Sequence, residues 1–78
     1  MKVVKEDTKY EAAPYGYIAT IPKGTPVIEA RNLPKVDGQS QWWVTTWDGI
    51  EEDPKAESWG RNYGFLLGPE EVEDEVVR

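Results

Sequence analysis

The sequence predicts an all-β fold, a small barrel of four to five short antiparallel strands ended by a short C-terminal helix or 3₁₀ turn. Three observations predict it. The runs rich in Val, Ile, Thr, Tyr and Trp are short and are separated by turns containing Gly and Pro. Four Trp and four Tyr make the chain too aromatic to stay disordered. At 78 residues it has room for one core only. A barrel also removes exposed strand edges; an open meander capped by the terminal helix is the alternative arrangement.

Residues 1–14 are charged and without a sustained period, and read as a partly ordered arm in which Val3 and Val4 suit a short edge strand. The domain proper is read as residues 15–72. Tyr15 to Ile21 is rich in strand formers, and Pro22-Lys23-Gly24-Thr25 follows as a turn in which Gly24 supplies a positive φ. Pro26 to Ala30 is the next strand, with Pro26 acceptable only at its first position or on an edge because it has no N–H to donate. Asn32 to Ser40 contains Pro34 and the turn pair Asp37-Gly38, so the chain reverses there. Gln41 to Trp47 is the clearest strand and carries aromatics on both faces. The fifteen residues from Asp48 to Asn62 hold five acids, two Gly and one Pro with no apolar period, and read as a long acidic loop (48–62). Tyr63 to Leu67 reads as a last buried strand. Gly68-Pro69 ends it, and Pro69-Glu70-Glu71 suits the start of a helical turn held to the barrel by Val72 and Val76. Residues 73–78 form an acidic tail.

Charge narrows the function classes. Fifteen acids against nine bases give a net charge of −6, and residues 48–78, with ten acids and three bases, carry −7 of it. That sign repels nucleic-acid phosphates and anionic lipid head groups, so neither direct nucleic-acid binding nor a membrane role is expected. The longest apolar runs, Trp42-Trp43-Val44 and Phe65-Leu66-Leu67, are far too short to span a bilayer, and Met1 to Asp7 lacks the apolar stretch of a signal peptide. A cytoplasmic location is the expectation. Without Cys there are no disulfides, thiolate metal sites or thiol nucleophiles, and without His the commonest general base and zinc ligand are missing. Ser40 and Ser58, the two serines, have no His to activate them, and no nucleophile and base pair emerges. The chain is therefore read as non-enzymatic and without a cofactor.

The order of landmarks resembles an SH3-like barrel. Lys23-Gly24 stands before Val27-Ile28 as a diverging turn does, and the polar stretch Asn32 to Ser40 leads to Trp42-Trp43-Val44. Gly64-Phe65-Leu66-Leu67-Gly68-Pro69 then matches the apolar strand and 3₁₀ turn that close the domain. The resemblance covers residues 15–72. It implies a binding role for Trp42, but Val72 stands about where the family's closing Tyr belongs, and the acids fall at Asp48 to Glu57 instead of between the first two strands. Proline-peptide binding is not expected on that pattern. The texture is also similar to short bacterial and phage-type proteins, a likeness that assigns no function.

Trp42 and Trp43 are neighbours on one strand and point to opposite faces, so at most one belongs to the main core. Parity alone leaves open whether Trp43 with Trp47 or Trp42 with Val44 faces inward. Trp42, Trp47, Trp59, Tyr15 and Tyr17 are the candidate binding aromatics, more than one small core encloses. The bland reading is a Trp lying flat under the long loop. Asp48, Glu51 and Glu52 are candidate binding acids that tune partner choice; with Asp53 and Glu57 they lack the spacing of a calcium loop, and no metal is assigned. Arg61 and Asn62, between Trp59 and Tyr63, suit either the cap of a site or a cation stacked on a Trp face.

The function expected is a protein-interaction module for a partner with a basic or mixed surface. Two alternatives from other classes stand beside it: an acidic decoy occupying a nucleic-acid-binding protein, and a structural subunit of a homo-oligomer.

Overall fold

The computed structural model describes residues 1–12, 15–56, 59 and 63–75. Eight short strands run in chain order: β1 Lys2–Val4, β2 Thr8–Ala12, β3 Gly16–Ile21, β4 Val27–Glu29, β5 Trp42–Val44, β6 Glu51–Glu52, β7 Leu66–Leu67 and β8 Val72–Asp74. Two 3₁₀ turns, Pro54–Ala56 and Pro69–Glu71, precede Trp59 and β8. The fold is all-β, but its ladders form three antiparallel sheets, β1-β8, β2-β3-β6 and β4-β5-β7, and do not close into one barrel.

Each turn follows from its residues. Asp37 and Gly38 both take positive φ, 51° and 78°, between the bridged pair Val36 and Gln39. That is the geometry a two-residue hairpin turn needs, and Asp is among the few residues other than Gly that tolerate it. Before β4, Gly24 has φ 87°, the Thr25 hydroxyl donates to Pro22 O at 2.7 Å, and the Lys23 amide donates to the Asp7 carboxylate at 2.8 Å.

The sheets share a core of Val4, Ile18, Ala19, Ile21, Val27, Val44, Phe65, Leu67 and Val72. Phe65 is fully buried, and Tyr10 meets its ring edge-on at 5.2 Å. Truncating such a Phe to Ala costs about 3–5 kcal/mol, a large share of the roughly 5–15 kcal/mol that holds a domain folded.

The charged first residues are drawn into this core. Val4 pairs with Val72 across β1-β8, the Lys5 amide donates to Glu71 O at 2.9 Å, and Val3 bridges to Pro26. Two adjacent valines, both buried, outweigh the Lys, Glu and Asp around them.

Three expectations are revised. The strand predicted over Gln41 to Trp47 spans only Trp42–Val44. Beyond Val44 its partner is Pro26, which accepts from the Thr45 amide and hydroxyl at 3.3 and 3.1 Å but has no N–H to return. The stretch read as a long loop over 48–62 contains β6 and a 3₁₀ turn. Glu51 and Glu52 pair with Thr20 and Ala19, and Ile50 packs against the core. The predicted strand from Tyr63 begins only at Leu66, because Gly64 takes φ 73°, outside strand geometry. Pro69 starts a 3₁₀ turn as expected, followed by a strand rather than a helix at Val72. Val76, expected to hold a helix, lies outside the described residues.

Candidate binding cleft

The β2-β3 hairpin carries Tyr15 and Tyr17 into a shared cleft. The Tyr15 amide donates to Ala12 O at 2.7 Å, and Gly16 has φ 76°. Tyr17 is fixed by its hydroxyl, which lies 2.9 Å from Thr20 Oγ1 and donates to Glu51 O at 3.2 Å across β6. The rest of the lining comes from the chain after β6. There the Asp53 amide donates to Ile18 O at 2.8 Å, anchoring the turn to β3. Asp53 Oδ1 accepts the Lys55 amide at 2.8 Å, with Pro54 between them at the first 3₁₀ position.

Trp59 and Tyr63 complete the lining. The Tyr63 amide donates to Trp59 O at 2.7 Å, and the two rings lie 4.7 Å apart. The Tyr15 ring stands edge-on to Trp59 at 6.1 Å. Together Tyr15, Tyr17, Ile18, Asp53, Lys55, Trp59 and Tyr63 line an open cleft of about 350 Å³. That volume holds one or two side chains, at the small end of ligand sites. Trp59 also packs against the core, and its buried Nε1–H has no acceptor among the described residues.

The structure gathers three of the five candidate aromatics, Tyr15, Tyr17 and Trp59, at this cleft. Trp42 lies elsewhere: it shares the inward face with Val44 and packs on the core, with Lys2 Nζ 5.8 Å from its ring centre. Trp47 is 46% exposed at the start of the Asp48-Gly49 turn, whose Ile50 amide donates to Trp47 O at 3.2 Å. It is not part of the lining. Trp43 lies on the outer face in a row with Ile28 and Leu66, its cross-strand partners. The candidate acids also fall outside the lining. Asp48 is exposed in the turn, and Glu51 and Glu52 belong to β6. Among the described residues no three carboxylates converge as a metal site. Arg61, Asn62 and Glu57 lie outside the described residues.

Lys55 and Tyr63 line the cleft although the sequence did not single them out, and Asp53, weighed only among the loop acids, joins them. A signal was there. Tyr63 follows Trp59 by four residues and precedes a Gly, a spacing that suits a turn with two rings on one side.

Two carboxyls elsewhere are perturbed. The Ser40 hydroxyl donates to Glu29 and, with Arg31 3.4 Å away, holds that carboxyl below its ordinary range. Partial burial and the neighbouring Glu70 push Glu71 up.

No helix among the described residues is long and apolar enough to cross a membrane. Comparison with models of known protein families, with curated proteins and with solved structures found no match.

Proposed function

We propose that the chain is a non-enzymatic protein-interaction module whose partner seats in the cleft formed by Tyr15, Tyr17, Trp59 and Tyr63. The observation that carries this reading is the convergence of four aromatic side chains from separate chain segments on one open cleft, with Tyr15 and Tyr63 left 72% and 66% exposed. Tyr and Trp offer large apolar area with a polar tip and little conformational freedom to lose, the properties that concentrate binding energy. A side chain with no use in the fold has a reason to be aromatic and outward-facing if a partner covers it.

The finer architecture we assign is an SH3-like barrel whose ladders are interrupted. Its support is the turn at Lys23-Gly24 before β4, the Trp pair on β5, and the 3₁₀ turn at Pro69 that leads into a strand paired with β1. The placement of Trp42 on the core and the position of the aromatic cleft support a site other than a proline-peptide groove. The acids of residues 48–78 then favour a partner with a basic or mixed surface.

The test is partner capture with purified variants that keep the fold by circular dichroism. Tyr15→Ala together with Tyr63→Ala is expected to abolish capture, whereas Trp47→Ala leaves it intact. Capture that survives the double variant but collapses with added salt would favour the acidic decoy instead.

A further inference from the structure

Resting on the reading of the cleft as the partner site, we infer that its specific occupant is an arginine side chain of the partner polypeptide. The rings of Tyr15, Tyr17, Trp59 and Tyr63 present π-systems whose faces attract cations, Trp most strongly. Among the described residues the one cation lying over an aromatic ring is Lys2 at Trp42, so no described cation occupies the rings of the cleft. Asp53 adds a carboxylate to the lining. One of its oxygens holds the Lys55 amide, and the other accepts no hydrogen bond from a described residue.

Arginine fits this combination better than lysine. Its guanidinium is planar, weakly hydrated, stacks on aromatic faces and donates in a fork that matches a carboxylate. The cleft volume of about 350 Å³ accepts one such side chain and the backbone that carries it. Among the described residues Lys55 is the one positive group in the lining. Its charge opposes a cationic occupant, which makes it a test of sign.

The probes are N-acetyl-arginine methylamide, its neutral citrulline isostere and N-acetyl-glutamate methylamide, each titrated into the full chain. The readout is the Trp59 indole N–H resonance, assigned with Trp59→Phe. The arginine probe is expected to shift it saturably, with the citrulline probe at least about tenfold weaker. Asp53→Asn keeps an acceptor for the Lys55 amide and is expected to weaken the arginine probe by about three- to tenfold. Lys55→Gln is expected to tighten it by about two- to fourfold. Equal binding of citrulline, preference for the glutamate probe, or weaker arginine binding in Lys55→Gln overturns the inference while leaving the cleft as a partner site. Absence of any shift with the arginine probe also overturns it; the partner-site reading then rests on the capture experiment alone.

Discussion

Gly64 shows how one residue sets both the fold and the site. Its φ of 73° ends the extended run before Phe65, and a Cβ there would lie 3.1 and 3.3 Å from two carbons of the Trp43 ring. The missing side chain lets the backbone lie against the indole, next to the exposed Tyr63 of the cleft. Gly64→Ala is therefore expected to lose about 1–3 kcal/mol, from left-handed strain together with the crowded ring. A urea titration followed by Trp fluorescence measures it, and loss of less than a few tenths would mean that neither constraint operates. Strand parity made Trp42 and Trp43 face opposite ways, and they do. Which one faced the core was not readable, because it depends on the register with β4 and β7: Val44 lies opposite Val27 and Trp42 opposite Leu67, two of the core residues. That register is a tertiary fact.

At the scale of elements, the closing 3₁₀ turn carries a charge that opposes folding. Glu71 is partly buried and stands beside Glu70, and both effects raise its pKa above the ordinary 4.5. The sign follows directly. Below the unfolded pKa the carboxyl is neutral in both states; as pH rises, the unfolded chain ionises first, so stability is lost between the unfolded and the folded value and stays lost above it. Glu71→Gln is expected to raise the melting temperature at neutral pH by a small margin, since the side chain is only partly buried. The two proteins should converge well below pH 4.5. A constant difference at all pH values would assign the gain to packing instead.

The other element with a clear consequence is β1. It covers Val72, bridges to Pro26 and receives the Gly24 amide at Val4 O, 2.9 Å. Removing residues 1–5 is expected to abolish cooperative thermal unfolding, read by circular dichroism. A truncated chain that melts normally would show that β1 is dispensable. The sequence made this region look like a partly ordered arm because its charges are local and visible, while the partner of Val3 and Val4 lies some seventy residues away. β6 was hidden for a similar reason. Glu51 and Glu52 have low strand propensity, and only the open edge of β3 and the anchoring of Ile50 recruit them. The turns, by contrast, were legible from Lys23-Gly24, Asp37-Gly38 and Pro69, because turn chemistry is local.

For the whole molecule, the contrast is between a core built from aliphatic residues with one Phe and an aromatic set placed around it. Trp42, Tyr10 and Trp59 each cover part of that core, while Tyr15, Tyr63 and Trp47 project from it. The excess of aromatics was visible in the composition; their division between core cover and cleft was not, because Tyr15 and Tyr63 are 48 positions apart and meet Trp59 only through the hairpin and the turn after β6. Charge follows the same division. Asp53 and Lys55, one acid and one base, lie in the lining, whereas the exposed Asp48 and the β6 acids Glu51 and Glu52 lie outside it.

The most direct test of the cleft as the partner surface is site-specific photocrosslinking in the producing cell. A benzophenone side chain replaces Tyr15, Tyr63, Trp47 or Ile28 in turn, and the adducts are sized and identified. One heterologous adduct is expected from positions 15 and 63 and none from 47 or 28. Adducts from positions 47 or 28 alone, or adducts of the chain with itself at every position, would contradict it and move the interaction to the outer sheet face or to self-assembly.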